Sequence, residues 1–437
     1  MLGPWRFLSR FPSVNISWSS TKIKILGVFI GHGDLSEDNW CPRLDAVSRC
    51  LNSWRSRALS LAGRALVVNA LALSRVWYVA SVIHMPEWVR SELWRTVFNF
   101  IWAGKRELVA RRVMYHPKSR GGFPVVSVDF KISALLIQWV KRLSVCPNGW
   151  VYLLKYWLLD RHGVSPLDFC ANSSIFSFSR FPPFYIDLFS SWVSAEGSSS
   201  SSGLSFGSSV GGPFPVSSAS CKSTYQVLLS LHPAVPHCIP KFRSSFGALD
   251  WSSTWRSLFF LPLDRQVCDL NWKIAHGVLY TAERLSSFGL SVPLACFCGY
   301  HSESLEHLFF SCPLVQSGYA WVQTMLSQAS PLAPSLNVRH ALFGFSADDL
   351  RCVPRVFSYL LNVCKYLVWV QRNNFRFRSE PPSAVCLVAS LKARIRFYLP
   401  LFFKRFKSIR RRRFFLRQWA GNNVFGHLSD STFVCTV

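Results

Sequence analysis

The chain has 437 residues, half of them apolar and 15% aromatic, which excludes a disordered chain and leaves room for two or three domains with buried cores. Lys and Arg number 49 against 22 Asp and Glu, a formal charge of +27, and an excess of that size points to a polyanionic partner or an anionic surface. The 14 cysteines are scattered and no charged-then-apolar leader precedes them, so they read as reduced thiols open to metal rather than as a disulfide framework.

Lys22 to Ile30 reads as a strand, closed by the turn residues Gly31-His32-Gly33-Asp34. After Pro42 the period changes to a helical one, with Leu44, Val47, Leu51 and Trp54 on one face, then Leu66, Val67, Ala70 and Leu71. The helical pattern continues through Glu87 to Trp102, turns at Gly121-Gly122 and Pro124, and resumes from Phe130 to Leu143. Lys155, Lys365, Arg64 and Arg75 break the longest apolar runs before about 18 uncharged residues accumulate, so no transmembrane segment is expected. Residues 190–220 are dominated by Ser and Gly, with Glu196 as their only charge, and read as a linker or mobile loop. A Trp-dense block follows from Lys222, and a helical block that ends basic follows from about Ala333.

The sharpest local pattern is Cys296-Phe297-Cys298-Gly299, then His307, then Cys312, a spacing of C-x-C-x8-H-x4-C. Three thiolates and an imidazole suit a closed, tetrahedral, structural zinc site. Ser302 reads as the cap of a short helix with Glu303 in its first turn and His307 near its end, and Pro313 as the stop that leaves Cys312 free to reach back. Four unrelated core side chains would give the same letters, and the single residue between Cys296 and Cys298 is tighter than the common spacing.

Between Arg372 and Arg417 stand 14 cations and one acid, Glu380, interleaved with phenylalanines. Lys404, Arg405, Lys407, Arg410, Arg411, Arg412, Arg413 and Arg417 are the candidate contacts to RNA or DNA, since cations neutralise phosphates and aromatic faces stack on unpaired bases. The same segment also fits a solvated helix face with Phe402, Phe406 and Ile409 buried, a nuclear-import signal, or a helix lying on an anionic membrane. Phe345-Ser346-Ala347-Asp348-Asp349-Leu350 has the letters of a polymerase aspartate pair, but helical spacing follows it and the pair reads as a helix start. No phosphate-binding glycine loop or nucleophile elbow is present, and no catalytic residue is assigned.

The strand at Lys22–Ile30, the segment Trp54-Arg55-Ser56-Arg57-Ala58-Leu59 through Gly63-Arg64, and Phe100-Ile101-Trp102-Ala103-Gly104-Lys105 follow one another in an order that resembles LINE-type (non-LTR) retrotransposon reverse transcriptases. So does Pro117-Lys118-Ser119-Arg120-Gly121-Gly122-Phe123, and so does Glu306-His307-Leu308-Phe309-Phe310-Ser311-Cys312-Pro313, which is similar to that family's C-terminal zinc-binding segment. The resemblance runs over about residues 16–330. It implies a mainly α chain: a thumb-like region at 16–145, a poorly defined connection at 146–189, the linker at 190–220, a zinc-binding domain at 222–330 and a basic helical region at 331–437.

It also implies a palm before Lys22, where some twenty residues stand. The chain is therefore expected to bind nucleic acid without polymerising by itself, unless a palm-containing reverse transcriptase chain associates with it. Zinc would be structural, with His301 the alternative to Cys296 as its first ligand. A membrane-surface or interaction protein and a decayed relic are the other readings, and the expected location is nucleus or cytoplasm.

Overall fold

The computed structural model describes residues 21–145, 149–162, 182–200, 203–207, 212–259, 263–429 and 432–437. The fold is mainly α, as expected, with three small antiparallel sheets among the described residues. It divides into two compact units, 1–107 with 124–234, and 108–123 with 235–437. No helix of the described residues is long and apolar enough to cross a membrane.

In the first unit the segment expected as one strand is a hairpin: β1 (Lys22–Ile25) pairs antiparallel with β2 (Val28–Gly31), Ile25 opposite Val28. Leu26 and Gly27 both take positive φ, 48° and 83°, which gives the two-residue turn whose twist matches the paired strands. The continuous apolar run hid that turn, because a leucine stands where glycine or asparagine usually marks it. The Asn39 side chain holds the hairpin to α1 (Ser36–Arg55): its Oδ1 accepts from the Phe29 amide at 2.8 Å and its Nδ2 donates to the Phe29 carbonyl at 3.0 Å. Helix α1 starts before Pro42, not after it, with Glu37 and Asp38 in the first turn where the helix dipole favours acids.

Ser60 caps α2 (Leu61–Val67), its hydroxyl accepting from the Gly63 amide, and the helix runs on into a π turn at Val68–Ala72. That wider turn presents Asn69, whose amide donates to the Pro124 carbonyl and accepts from the Val126 amide. Helix α3 (Glu87–Ile101) buries Val89, Leu93, Val97, Phe98 and Ile101 at helical spacing. Helix α4 (Val128–Val145) is followed by α5 (Gly149–His162) and α6 (Pro183–Ser194), and α4 packs against both α6 and α7 (Cys221–Leu231). Most of the remaining connection, 146–148 and 163–181, lies outside the described residues.

The Ser/Gly-rich segment is not a free linker where it is described. It begins inside α6 and then forms β3 (Ser198–Ser200), β4 (Gly203–Phe206) and β5 (Phe214–Pro215), paired in that order. Trp192, Leu204 and Phe206 are buried, and Phe206 meets Phe214 at 5.5 Å between ring centroids. A few large apolar side chains supply the burial that the serines lack, and averaged composition conceals them.

The second unit contains α8 (Cys238–Phe246), α9 (Trp251–Ser257), α10 (Arg265–Ala275), α11 (Ala282–Ser286), α12 (Pro313–Ala329), α13 (Val338–Phe343), α14 (Asp349–Cys352), α15 (Arg355–Arg378), α16 (Ala384–Phe403), α17 (Ile409–Gln418) and the hairpin β6 (Gly426–Ser429) with β7 (Thr432–Cys435). Helices α12, α15 and α16 pack together, and α10 lies on α15. The Gly121 carbonyl accepts two ring donors from α10 and its end, Trp272 Nε1 and His276 Nε2, each at 2.8 Å. Burial pushes His276 down to about 4, so the neutral ring donates from Nε2, and the glycine pair ties the 108–123 segment to the Trp-rich core.

Lys365 is completely buried in the middle of α15, its Nζ donating to the Leu342 carbonyl at 3.2 Å. Burial lowers it to about 7. Between that value and the free-lysine range the unfolded chain holds more protons than the folded one, so this group makes stability rise with pH. Lys365→Met is expected to be more stable than wild type by about 2 kcal/mol at pH 6, an advantage that shrinks toward pH 10. Urea unfolding of both proteins at several pH values checks this, and a pH-independent difference would contradict it.

Candidate metal centre and basic face

The four candidate metal ligands come from two local structures in the second unit. Cys296 opens a tight turn: the Gly299 amide donates to its carbonyl at 2.9 Å, and its own amide donates to the Tyr300 carbonyl at 2.8 Å. Gly299 takes φ 90°, which lets the chain reverse immediately after Cys298. The second structure is helical. Ser304, not Ser302, caps it, accepting from the His307 amide at 3.0 Å.

His307 and Cys312 are five residues apart, and on an α-helix of 3.6 residues per turn such a pair diverges by about 140°. The chain solves this with a π turn at His307–Ser311, closed by the Cys312 amide donating to the His307 carbonyl at 2.8 Å. The wider turn returns Cys312 toward the His307 face, and π turns of this kind gather at functional sites. Pro313 then begins α12 rather than stopping the chain, its missing N–H costing nothing at a helix start.

The ligand atoms of Cys296, Cys298, His307 and Cys312 all lie within 4.8 Å of one another, and Cys298 Sγ is 3.2 Å from His307 Nε2. A tetrahedron with zinc–sulfur bonds of about 2.3 Å has edges of about 3.8 Å, so the set is close to the size that zinc ligation needs. The donor set suits a dication, which ligates thiolates and neutral imidazole. Cys312 beside it, together with burial, pushes the Cys296 thiol far above its ordinary range, whereas burial holds His307 below its usual value and keeps the imidazole neutral for ligation. Tyr300 stacks on the His307 ring at 4.3 Å and 13°. His301 is exposed and lies outside the quartet.

The groups that hold this loop from behind were not legible in the sequence. Glu303, expected in the first turn of the short helix, precedes the helix and is completely buried. Its Oε1 accepts from the Ala282 amide at 2.9 Å and from Arg372 Nη2 at 2.6 Å, and its Oε2 accepts from Arg376 Nη2 at 3.1 Å. Arg376 also donates to the carbonyls of Pro293 and Ala295, immediately before Cys296. Two arginines of α15 therefore hold the metal loop, with Glu303 as their counter-ion.

The basic block is thus two things. Arg372 and Arg376 are internal, and Arg394 pairs with Asp264 at 2.8 Å. Lys404, Arg405, Lys407, Arg410, Arg411, Arg413 and Arg417, on and before α17, are exposed, and among the described residues none of them is ion-paired with an acid. Arg412 turns inward, its Nε donating to the Phe406 carbonyl and its guanidinium over the Phe403 ring at 5.4 Å. Phe403 and Phe415 form the buried face, not Ile409, which is 74% exposed. The break at 404–408 between α16 and α17 resets the helical phase that one continuous helix would have kept.

The aspartate pair is a helix start, as expected. Asp349 Oδ2 accepts from the Ser346 amide and hydroxyl, and Ser346 Oγ accepts from the Asp349 amide, a reciprocal cap of α14.

Residues 220–319 match the family described as zinc-binding in reverse transcriptase, a span that contains all four members of the quartet. A "Transposon TX1 uncharacterized 149 kDa protein" of Xenopus laevis is 30% identical over 131 residues, 29% of this chain and 10% of that protein. The matched part thus spans about a tenth of that relative's length. The two matches bear out the resemblance to the C-terminal region of a retrotransposon reverse transcriptase, and the zinc-binding character of the region.

Proposed function

We propose that this chain is a nucleic-acid-binding C-terminal region of a LINE-type reverse transcriptase that does not polymerise by itself. The observation that carries the reading is the set of exposed, unpaired cations on and before α17, in a chain whose zinc-binding segment is of the reverse-transcriptase type. Arg410, Arg413 and Arg417 fall at i, i+3 and i+7 on α17, a single stripe able to follow a phosphate backbone.

Cys296, Cys298, His307 and Cys312 would hold zinc in closed ligation. When bound, zinc supplies a cross-link between the tight turn and the π turn, and no open position for water. Of the two polymerase-like aspartates, Asp349 is engaged with Ser346 at the start of α14 and Asp348 pairs with Arg351 on the surface, which supports a role in gripping template or target rather than in phosphoryl transfer.

Fluorescence anisotropy of labelled single-stranded RNA and DNA against salt tests this reading. Wild type is expected to bind with a steep salt dependence. Replacing Arg410, Arg411 and Arg413 together by Ser is expected to lower affinity about a hundredfold at 0.1 M salt and to flatten the slope by about two. No binding at low salt by a folded protein would refute the proposal.

A further inference from the structure

A cleft of about 550 Å³ opens in the second unit beside α17. Three arginines line it from three different helices: Arg256 of α9, Arg355 at the first turn of α15, and Arg417 of α17. No acidic residue is among its lining residues. Ser257 and Ser358 add hydroxyls to the wall, and Phe414 adds a half-exposed aromatic ring. Arg355 sits over that ring at 5.4 Å. The backbone amide of Arg355 is already satisfied by Gln418 Oε1, so the anion-attracting groups are the guanidinium side chains rather than the helix end.

Asp250 lies near Arg256, whose guanidinium donates to the Ser252 carbonyl and hydroxyl, so one acid stands beside a wall of three arginines, and the excess positive charge favours an anion in the cleft. Guanidinium groups bind phosphate through paired N–H donors, and an aromatic ring beside them suits an adjoining base. The cleft is also continuous with the α17 stripe, because Arg417 belongs to both. Two of its three cations, Arg256 and Arg355, lie outside the basic C-terminal block altogether.

We infer that this cleft is a seat for one phosphodiester of a single strand, with a neighbouring base against Phe414, while the strand's backbone continues along Arg413 and Arg410. The inference rests on the nucleic-acid reading above and adds to it a defined anchoring point and a preference for unpaired bases. A duplex, whose bases are stacked inward, would meet the arginines but not the ring.

The test is anisotropy with a labelled 20-nucleotide single-stranded RNA and the matching duplex, across a salt series. The full chain is used, with circular dichroism melting as the control for folding. Arg256→Ser combined with Arg355→Ser is expected to weaken single-strand binding about tenfold and to reduce the salt slope by about one. The corresponding pair of Lys substitutions keeps the slope, because the charge remains. Phe414→Leu is expected to weaken single-strand binding several-fold with an unchanged slope, and to leave duplex binding unaltered.

Wild-type affinity and slope in the Ser pair, in a protein that still responds to loss of Arg410, Arg411 and Arg413, would overturn the cleft and leave the broader reading standing. Equal loss of duplex and single-strand binding in Phe414→Leu would overturn the preference for unpaired bases. Absence of binding by folded wild type would overturn both readings together.

Discussion

Cys312→Ser is expected to purify without stoichiometric zinc and to lose the folded segment around residues 294–312, whereas wild type carries one zinc per chain. Cys312 is fully buried between the π turn and α12, so its thiolate reaches the quartet from the one position that the π turn fixes. Structural zinc contributes roughly 10–16 kcal/mol of folding free energy in isolated zinc-finger peptides. The loss here is smaller than that total and local to the segment, because the rest of the second unit has its own buried core. Metal content by mass spectrometry and the thermal transition with and without a chelator measure both quantities. Cys296→Ser should behave like Cys312→Ser, and His301→Ala like wild type, since His301 stands outside the quartet. Full zinc occupancy in Cys312→Ser would reject the assignment.

Glu303→Ala is expected to destabilise the protein by about 3–5 kcal/mol, the cost of leaving buried arginines without their counter-ion. Arg372 and Glu303 are almost wholly removed from solvent, at 5% and 0% side-chain exposure, so solvent screening offers little relief. Arg372→Ala should cost about as much, and the double variant less than the sum of the two, because the second substitution removes a group already orphaned by the first. Denaturant midpoints for the three proteins give the coupling energy directly. Strict additivity would mean that the three charges are not a unit. Glu303→Ala should also weaken zinc retention during dialysis, since Arg376 positions the carbonyls of Pro293 and Ala295 next to the first ligand.

The parts of this fold that the sequence discloses are those written in local spacing. The quartet, the helical periodicity and the Ser346–Asp349 cap each depend on residues a few positions apart, and local geometry fixes them. What stayed hidden depends on distant partners. Nothing near Arg372 announces Glu303, 69 residues away, so a run of cations looks like one surface until the acid inside it is found. The serine-rich strands were invisible for a related reason: their stability comes from Trp192, Leu204 and Phe206, three residues diluted among many small ones. The hairpin carries no turn signature in the sequence because Leu26 adopts a backbone conformation that a leucine rarely takes.

The π turn between His307 and Cys312 can also be viewed as an insertion. A π turn is an α turn lengthened by one residue, and that residue can be lost again. Deleting one position among Leu308–Ser311 would leave the histidine and cysteine four apart, about 40° from each other on an ordinary α-helix. The pair would still share a face. Adding a residue would set them six apart and about 120° away from one another on that helix. Length variation at this site is therefore expected to be asymmetric: a spacing shorter by one keeps the pair on one face without a π turn, and relatives with that spacing should show a regular helix there.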